Sequence, residues 1–176
     1  MTRRSPEPIN HQVSRLEVGI AEPFEAFRNR YEQAVPAINP DHVPKLVERQ
    51  APWDEVVAAA EASAPHGFLI YWSSDVSALM ALAGARARCV EYLMGNHTIA
   101  ERMYRHDPAV MLHAPLRTAI CARDDGPVRF VVDQPSTVFS SFGNAEIAAV
   151  GKELDRKLAA LLTALGAPVP AALTSP

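Results

Sequence analysis

Apolar residues recur along this chain at two periods, and the switches between them outline its elements. Over residues 11–20, Val13, Leu16, Val18 and Ile20 alternate well enough to predict a first strand. Glu22 and Pro23 then open a helix in which Phe24, Phe27, Tyr31 and Val35 return every three or four residues, the stripe a helix lays on a sheet. Pro36 ends it. Residues 39–50 are polar and carry Pro40 and Pro44, which predicts a short helical turn or a loop. Residues 52–64 read as a helix, with proline in its first turn and Asp54 and Glu55 at its positive end. Gly67 breaks that pattern, and the aromatic-rich run 68–73 reads as a central strand, followed by an apolar connection able to form a helical turn.

The second half is patterned more sharply. Residues 86–94 alternate, with Arg86, Arg88, Val90, Tyr92 and Met94 on one face and Ala87, Cys89, Glu91 and Leu93 on the other. Gly95 and Asn96 then turn the chain. Thr98 and Glu101 have the spacing of a capping box opening a short helix, which Asp107 and Pro108 stop. Residues 116–123 and 128–133 predict two strands joined as a hairpin through Asp124, Asp125, Gly126 and Pro127. Last comes the clearest stripe, Ile147, Val150, Leu154, Leu158, Leu161, Leu162 and Leu165, with Asn144 placed to cap it and Gly166 to close it. The order predicts an α+β domain in which helices, among them a long C-terminal one, cover an antiparallel sheet.

Composition narrows the class. A chain of 176 residues, 48% of them hydrophobic, suits one domain with a sizeable core, here expected over residues 11–166. Residues 1–10 and 167–176, rich in proline and small residues, are expected as disordered tails. The formal charge of -3 argues against a phosphate-binding surface, and acids are interspersed among the seven arginines from Arg86 to Arg129, so no nucleic-acid partner is expected. Cys89 and Cys121 each sit inside an apolar run and read as free thiols. Residues 1–12 are not followed by the apolar run of a signal peptide, and no stretch approaches membrane-spanning length. A cytoplasmic protein without a membrane partner is the expectation.

Gly95 and Asn96, Pro115 to Arg117, Gly126, Pro135 within DQPST, and the leucines around Leu154 and Leu158 together resemble the family called domain of unknown function 302. The resemblance runs from about residue 11 to 165, with residues 36–65 longer than the family core and read as an insertion. It implies an incurved antiparallel sheet capped by helices, similar in fold to the TATA-box-binding protein, and a homodimer. It implies no activity. Where the commoner family pattern is Gly-Asn-Pro, this chain has His97 in the proline position, which adds a titratable group to the turn.

Candidate chemistry gathers around that turn. Histidine titrates near neutral pH, so His97 is a candidate proton carrier, with Tyr104 or Tyr92 as a nearby donor. The competing reading has His97 packing on the turn. Asn96, Tyr92, Arg117 and Asp133 are candidate ligand contacts, Arg117 through its planar fork; its plainer role is an ion pair with Asp133 or Glu91. His97 and Glu101 are spaced as a pair of metal ligands, although Glu101 also suits a pair with Arg105. No nucleophile elbow, phosphate loop or metal-binding cysteine motif occurs. The expected function is therefore the binding of a small, mostly apolar molecule between sheet and helices, with no cofactor. A cofactor-free isomerase, lyase or cyclase using His97 and Tyr104 is the first alternative, and haem or a divalent metal held through His97 the second.

Overall fold

The structure is a computed structural model and describes residues 7–124 and 126–175. Five strands, β1 (Arg15–Ile20), β2 (Leu69–Asp75), β3 (Arg88–Gly95), β4 (Leu116–Ala122) and β5 (Val128–Asp133), form one curved antiparallel sheet in the order β1-β5-β4-β3-β2. Among the described residues, seven α-helices accompany it: α1 (Phe24–Ala34), α2 (His42–Glu48), α3 (Trp53–Ser63), α4 (Ser77–Ala81), α5 (His97–Tyr104), α6 (Pro135–Phe139) and α7 (Ala145–Ala164). The α+β class read from periodicity is the fold observed.

Alternation decides which face each strand buries. Leu16, Val18 and Ile20 of β1, Val128, Phe130 and Val132 of β5, Leu116, Thr118 and Ile120 of β4, and Val90, Tyr92 and Met94 of β3 all point to one side. There they meet the stripes of α1 (Phe27, Tyr31) and α7 (Ile147, Leu154, Leu158, Leu161) in a single apolar core. Full burial of each such side chain is worth about 1.5–3 kcal/mol. The opposite face is mixed and partly exposed, with Leu93, Ala119 and Val131 set among charged residues. It carries the ion pairs Arg15–Asp133, Arg129–Glu17 and Arg117–Glu91, at 3.6, 2.6 and 2.9 Å, and the free cysteines Cys89 and Cys121, which lie opposite one another across β3 and β4.

Several elements differ from expectation for local reasons. The run 68–73 is not a central strand: β2 is the last strand of the ladder, and Trp72 is 48% exposed. Its outer edge is partly covered by residues 36–38, where Ile70 N–H donates to Pro36 O and Ile38 N–H to Ile70 O, both at 2.9 Å. The first strand begins at Arg15 instead of residue 11. Within the segment read as an insertion, α2 is a defined helix that buries Leu46, since Pro44 falls in its first turn where no N–H is needed. Helix α5 is capped by Asn96 and not by Thr98, whose own N–H and hydroxyl both donate to Asn96 Oδ1. The expected N-terminal tail lies partly outside the described residues. In the expected C-terminal tail, Ala171–Leu173 forms a 3-10 turn that buries Leu173.

Helix α7 is fastened to α6 by contact and by hydrogen bonds. The buried Asp155 carboxylate accepts from Ser136 N–H at 2.9 Å and from Gln134 Nε2 at 2.8 Å, and Gln134 Nε2 also reaches Ala172 O. Beside it Gly151 lets the helices touch: a Cβ there would lie 3.1 Å from both Phe139 Cβ and Ser136 Cα. Gly151→Ala is therefore expected to lower stability by about 1–3 kcal/mol through overpacking, read as a fall in the urea midpoint at unchanged slope. An unchanged midpoint would mean that α6 yields freely.

Candidate functional site

The end of β3 and the start of α5 set the site. Asn96 has extended backbone, its Oδ1 accepts from Thr98 N–H at 2.9 Å, and its Nδ2 donates to Gly67 O at 3.2 Å. That brace makes His97 the first residue of the helix. Gly95 sits under Pro115, where a Cβ would come within 3.2 Å of the proline Cα, so only glycine fits the approach without displacing the neighbouring chain.

Tyr71 arrives from β2 through an irregularity. The register shifts between Ile70 and Trp72, leaving Tyr71 as the extra residue of a bulge and re-aiming its side chain. Its hydroxyl accepts from the backbone N–H of His97 at 3.0 Å and lies 2.7 Å from His97 Nδ1. Two proton arrangements satisfy this pair. Either the phenol proton goes to Nδ1 and the ring proton sits on Nε2, or Nδ1–H donates to the phenol and Nε2 keeps a bare lone pair. In both, His97 Nε2 is buried without a partner in the protein. Burial lowers the His97 pKa, and the charge of His42 lowers it further, so the ring is neutral at physiological pH. Burial raises the Tyr71 pKa, partly offset by the hydrogen bond from the His97 backbone, so the phenol stays protonated.

These two side chains are among the walls of a half-open cavity of about 140 Å³. Its other walls are almost entirely apolar, with Phe68, Ile99, Met103, Phe139 and Leu154 foremost among them. A site of this kind can hold a small apolar body and offer its polar end one donor or acceptor.

Of the residues singled out from sequence, Asn96 and His97 line this cavity. Tyr104 is half exposed and does not. Tyr92 is buried in the core, and its hydroxyl donates to Glu32 at 2.8 Å, away from His97. Arg117 reaches from the open face of the sheet to Glu91, with its side chain 76% exposed. It shares with Asp133 and His113 a separate, more polar cleft of about 340 Å³. Glu101 pairs with Arg105 and lines a third cleft without His97, so those two metal-ligand candidates are not brought together. No cluster of three or more metal-ligating side chains exists among the described residues. Two residues of the site were not among the candidates singled out from sequence. Phe68, Tyr71 and Trp72 could be read there as aromatics able to line a pocket but more simply as core, and the pairing of Tyr71 with His97 had no signal, because its direction depends on the bulge. His42, whose Nε2 is also buried and unpartnered, had no signal at all, since its place depends on how residues 36–65 fold.

A family model described as domain of unknown function DUF302 matches residues 46–165. The fold is similar to the crystal structure of an uncharacterized conserved protein, DUF302, from Bacillus stearothermophilus, with a TM-score of 0.60 and 14% sequence identity over 85% of this chain and 95% of that one. At that identity the likeness speaks for the fold alone. No curated protein matches the chain. No helix among the described residues is long and apolar enough to cross a membrane.

The depressed His97 pKa sets the sign of a pH effect. Below the ordinary value of 6.5 the unfolded chain takes up a proton that the folded chain refuses, so stability falls with falling pH until the folded pKa is passed. His113, lowered mainly by burial, adds to the same slope. Urea midpoints between about pH 5 and 8 are expected to drop toward acid in the native chain and to drop less in His97→Gln. Parallel profiles would show that His97 titrates normally.

Proposed function

Because this chain belongs to the DUF302 family, whose name assigns no activity, its function has to come from its site, and we propose that it binds a small, mostly apolar molecule in the cavity beside His97 and Tyr71. The observation that carries this reading is a half-open cavity with an almost wholly apolar lining and only Tyr71, Asn96 and His97 as polar side chains among its walls. Size narrows the ligand class. A cavity of about 140 Å³ is close to the roughly 150 Å³ apolar cavity that accepts benzene. It is well below the ~300–1,000 Å³ of sites for drug-sized molecules. A single ring or a short branched chain bearing one hydroxyl or carbonyl fits; a macrocycle such as haem is too large to be enclosed. In this reading the protein works in the cytoplasm as a homodimer, the assembly the family resemblance implies.

A second reading rests on the Tyr71–His97 contact itself. A neutral base held by a phenol suits proton transfer, so a cofactor-free isomerase, lyase or cyclase remains a reading of the same cavity, with Tyr71 in the place first given to Tyr104.

The test is a thermal-shift and calorimetric series with benzene, phenol, para-cresol and short branched ketones. Phenol and para-cresol are expected to bind the native chain more tightly than benzene. Tyr71→Phe should narrow that preference by about 1 kcal/mol, one hydrogen bond. Ala100→Leu, which fills the cavity, should abolish binding of all four classes while leaving the circular dichroism unchanged. Absence of binding by the native chain, or binding that survives Ala100→Leu, would overturn the assignment.

A further inference from the structure

His97 faces two spaces. One is the apolar cavity above; the other, of about 290 Å³, lies where α2 and α3 close over the end of β2, and His42 and His97 both line it. His42 is the first residue of α2 and His97 the first of α5, so two separate helix starts each contribute a histidine to the lining of this space. The Nε2 atom of each ring is shielded from solvent, and neither has a hydrogen-bond partner in the protein. The rings are near enough for charge on His42 to depress the basicity of His97. Leaving a buried polar atom unpaired costs about 1–3 kcal/mol, and here the two histidines that carry such atoms line the same space.

The rest of the lining limits what can satisfy them. Pro36, Ala37, Ala60 and Leu69 offer no side-chain polar group, and the Asn39 side-chain oxygen already accepts from Asp41 N–H. Ser63 donates its hydroxyl to Ala59 O. No carboxylate lines the cavity, and Glu55, whose carboxyl feels His42, is committed to Arg49. Two imidazoles without an acidic partner suit nitrogen-preferring metals better than calcium or magnesium, which take oxygen ligands.

We propose that His42 and His97 bind a divalent first-row transition metal, zinc, nickel or copper, through their Nε2 atoms, with water completing its coordination. Tyr71 is the outer partner: with Nδ1–H donating to the phenol oxygen, Nε2 of His97 presents its lone pair, as the second nitrogen of metal-bound histidines commonly arranges. The site differs from the His97 and Glu101 pair expected from sequence and does not depend on any ligand in the apolar cavity.

The full chain, free of any histidine tag and stripped with a chelator, is titrated with nickel and copper(II) salts alone, followed by calorimetry and, for copper, by electron paramagnetic resonance. The expected result is one metal per chain with nitrogen couplings from imidazole. Affinity should fall at least about tenfold in His42→Ala and in His97→Gln and weaken measurably in Tyr71→Phe. His113→Ala removes the other close histidine pair, His11 and His113, whose rings are 6.3 Å apart, and should bind as the native chain does. His42 is half-exposed at a helix start, so its variant tests the site with the fold intact, checked by circular dichroism. The proposal is overturned if the native chain takes up no stoichiometric metal, if His42→Ala binds normally, or if His113→Ala abolishes binding.

Discussion

Phe27 and Tyr31 of α1 and the leucines of α7 press on the same side of the sheet, and because strand side chains alternate with a strict period of two, that contact settles the facing of the paired strands. A slip of one residue anywhere in the ladder would put arginines and glutamates under the helices. Polar contacts beneath α1 are made between paired groups: Tyr31 OH lies 3.1 Å from Thr118 Oγ1 and 3.2 Å from Met94 Sδ, and Tyr92 OH donates to Glu32 at 2.8 Å. The arginine–carboxylate pairs on the opposite face add little, since exposed ion pairs are worth about 0–1 kcal/mol each. Stability resides on the covered side.

The site is a consequence of where that covering layer stops. At the end of β3 the chain must leave the sheet, and the contact of Gly95 with Pro115 fixes the angle at which it does so. Asn96 Oδ1 then accepts from the Thr98 amide in the first turn of α5 and the His97 amide donates to Tyr71, which leaves His97 held at the boundary between the apolar core and the segment carrying α2 and α3. A bulge in the neighbouring strand supplies the phenol that orients the ring. Every one of these devices is a backbone arrangement, so the chemistry of the site is inherited from the geometry of strand ends.

This explains what could be read before the structure and what could not. The long C-terminal helix, its Asn144 cap and Gly166 stop, the hairpin of β4 and β5, and the burial of Phe27 and Tyr31 follow from local periodicity and turn chemistry, and all were legible. His97 and Asn96 were legible as a turn with reactive groups. Tyr71 was legible as an aromatic able to line a pocket but not as the partner of His97, because a bulge changes direction without changing composition. Arg117 and Asp133 were placed near His97 by strand order, yet the parity that buries Thr118 and Val132 sends both to the far face of the sheet. His42 stayed hidden for a further reason: long-range closure of one segment over another leaves no mark on the sequence of either.

Leu173 and the first strand and helix raise a different matter. The family model covers residues 46–165, yet Leu173 lies beyond it and Val18, Phe27 and Tyr31 before it, and all four are interior. The stretch matched by the family model is thus, in this chain, an open core finished by residues on either side of it, and a fragment cut to residues 46–165 would lay bare the faces that Val18, Phe27, Tyr31 and Leu173 now cover.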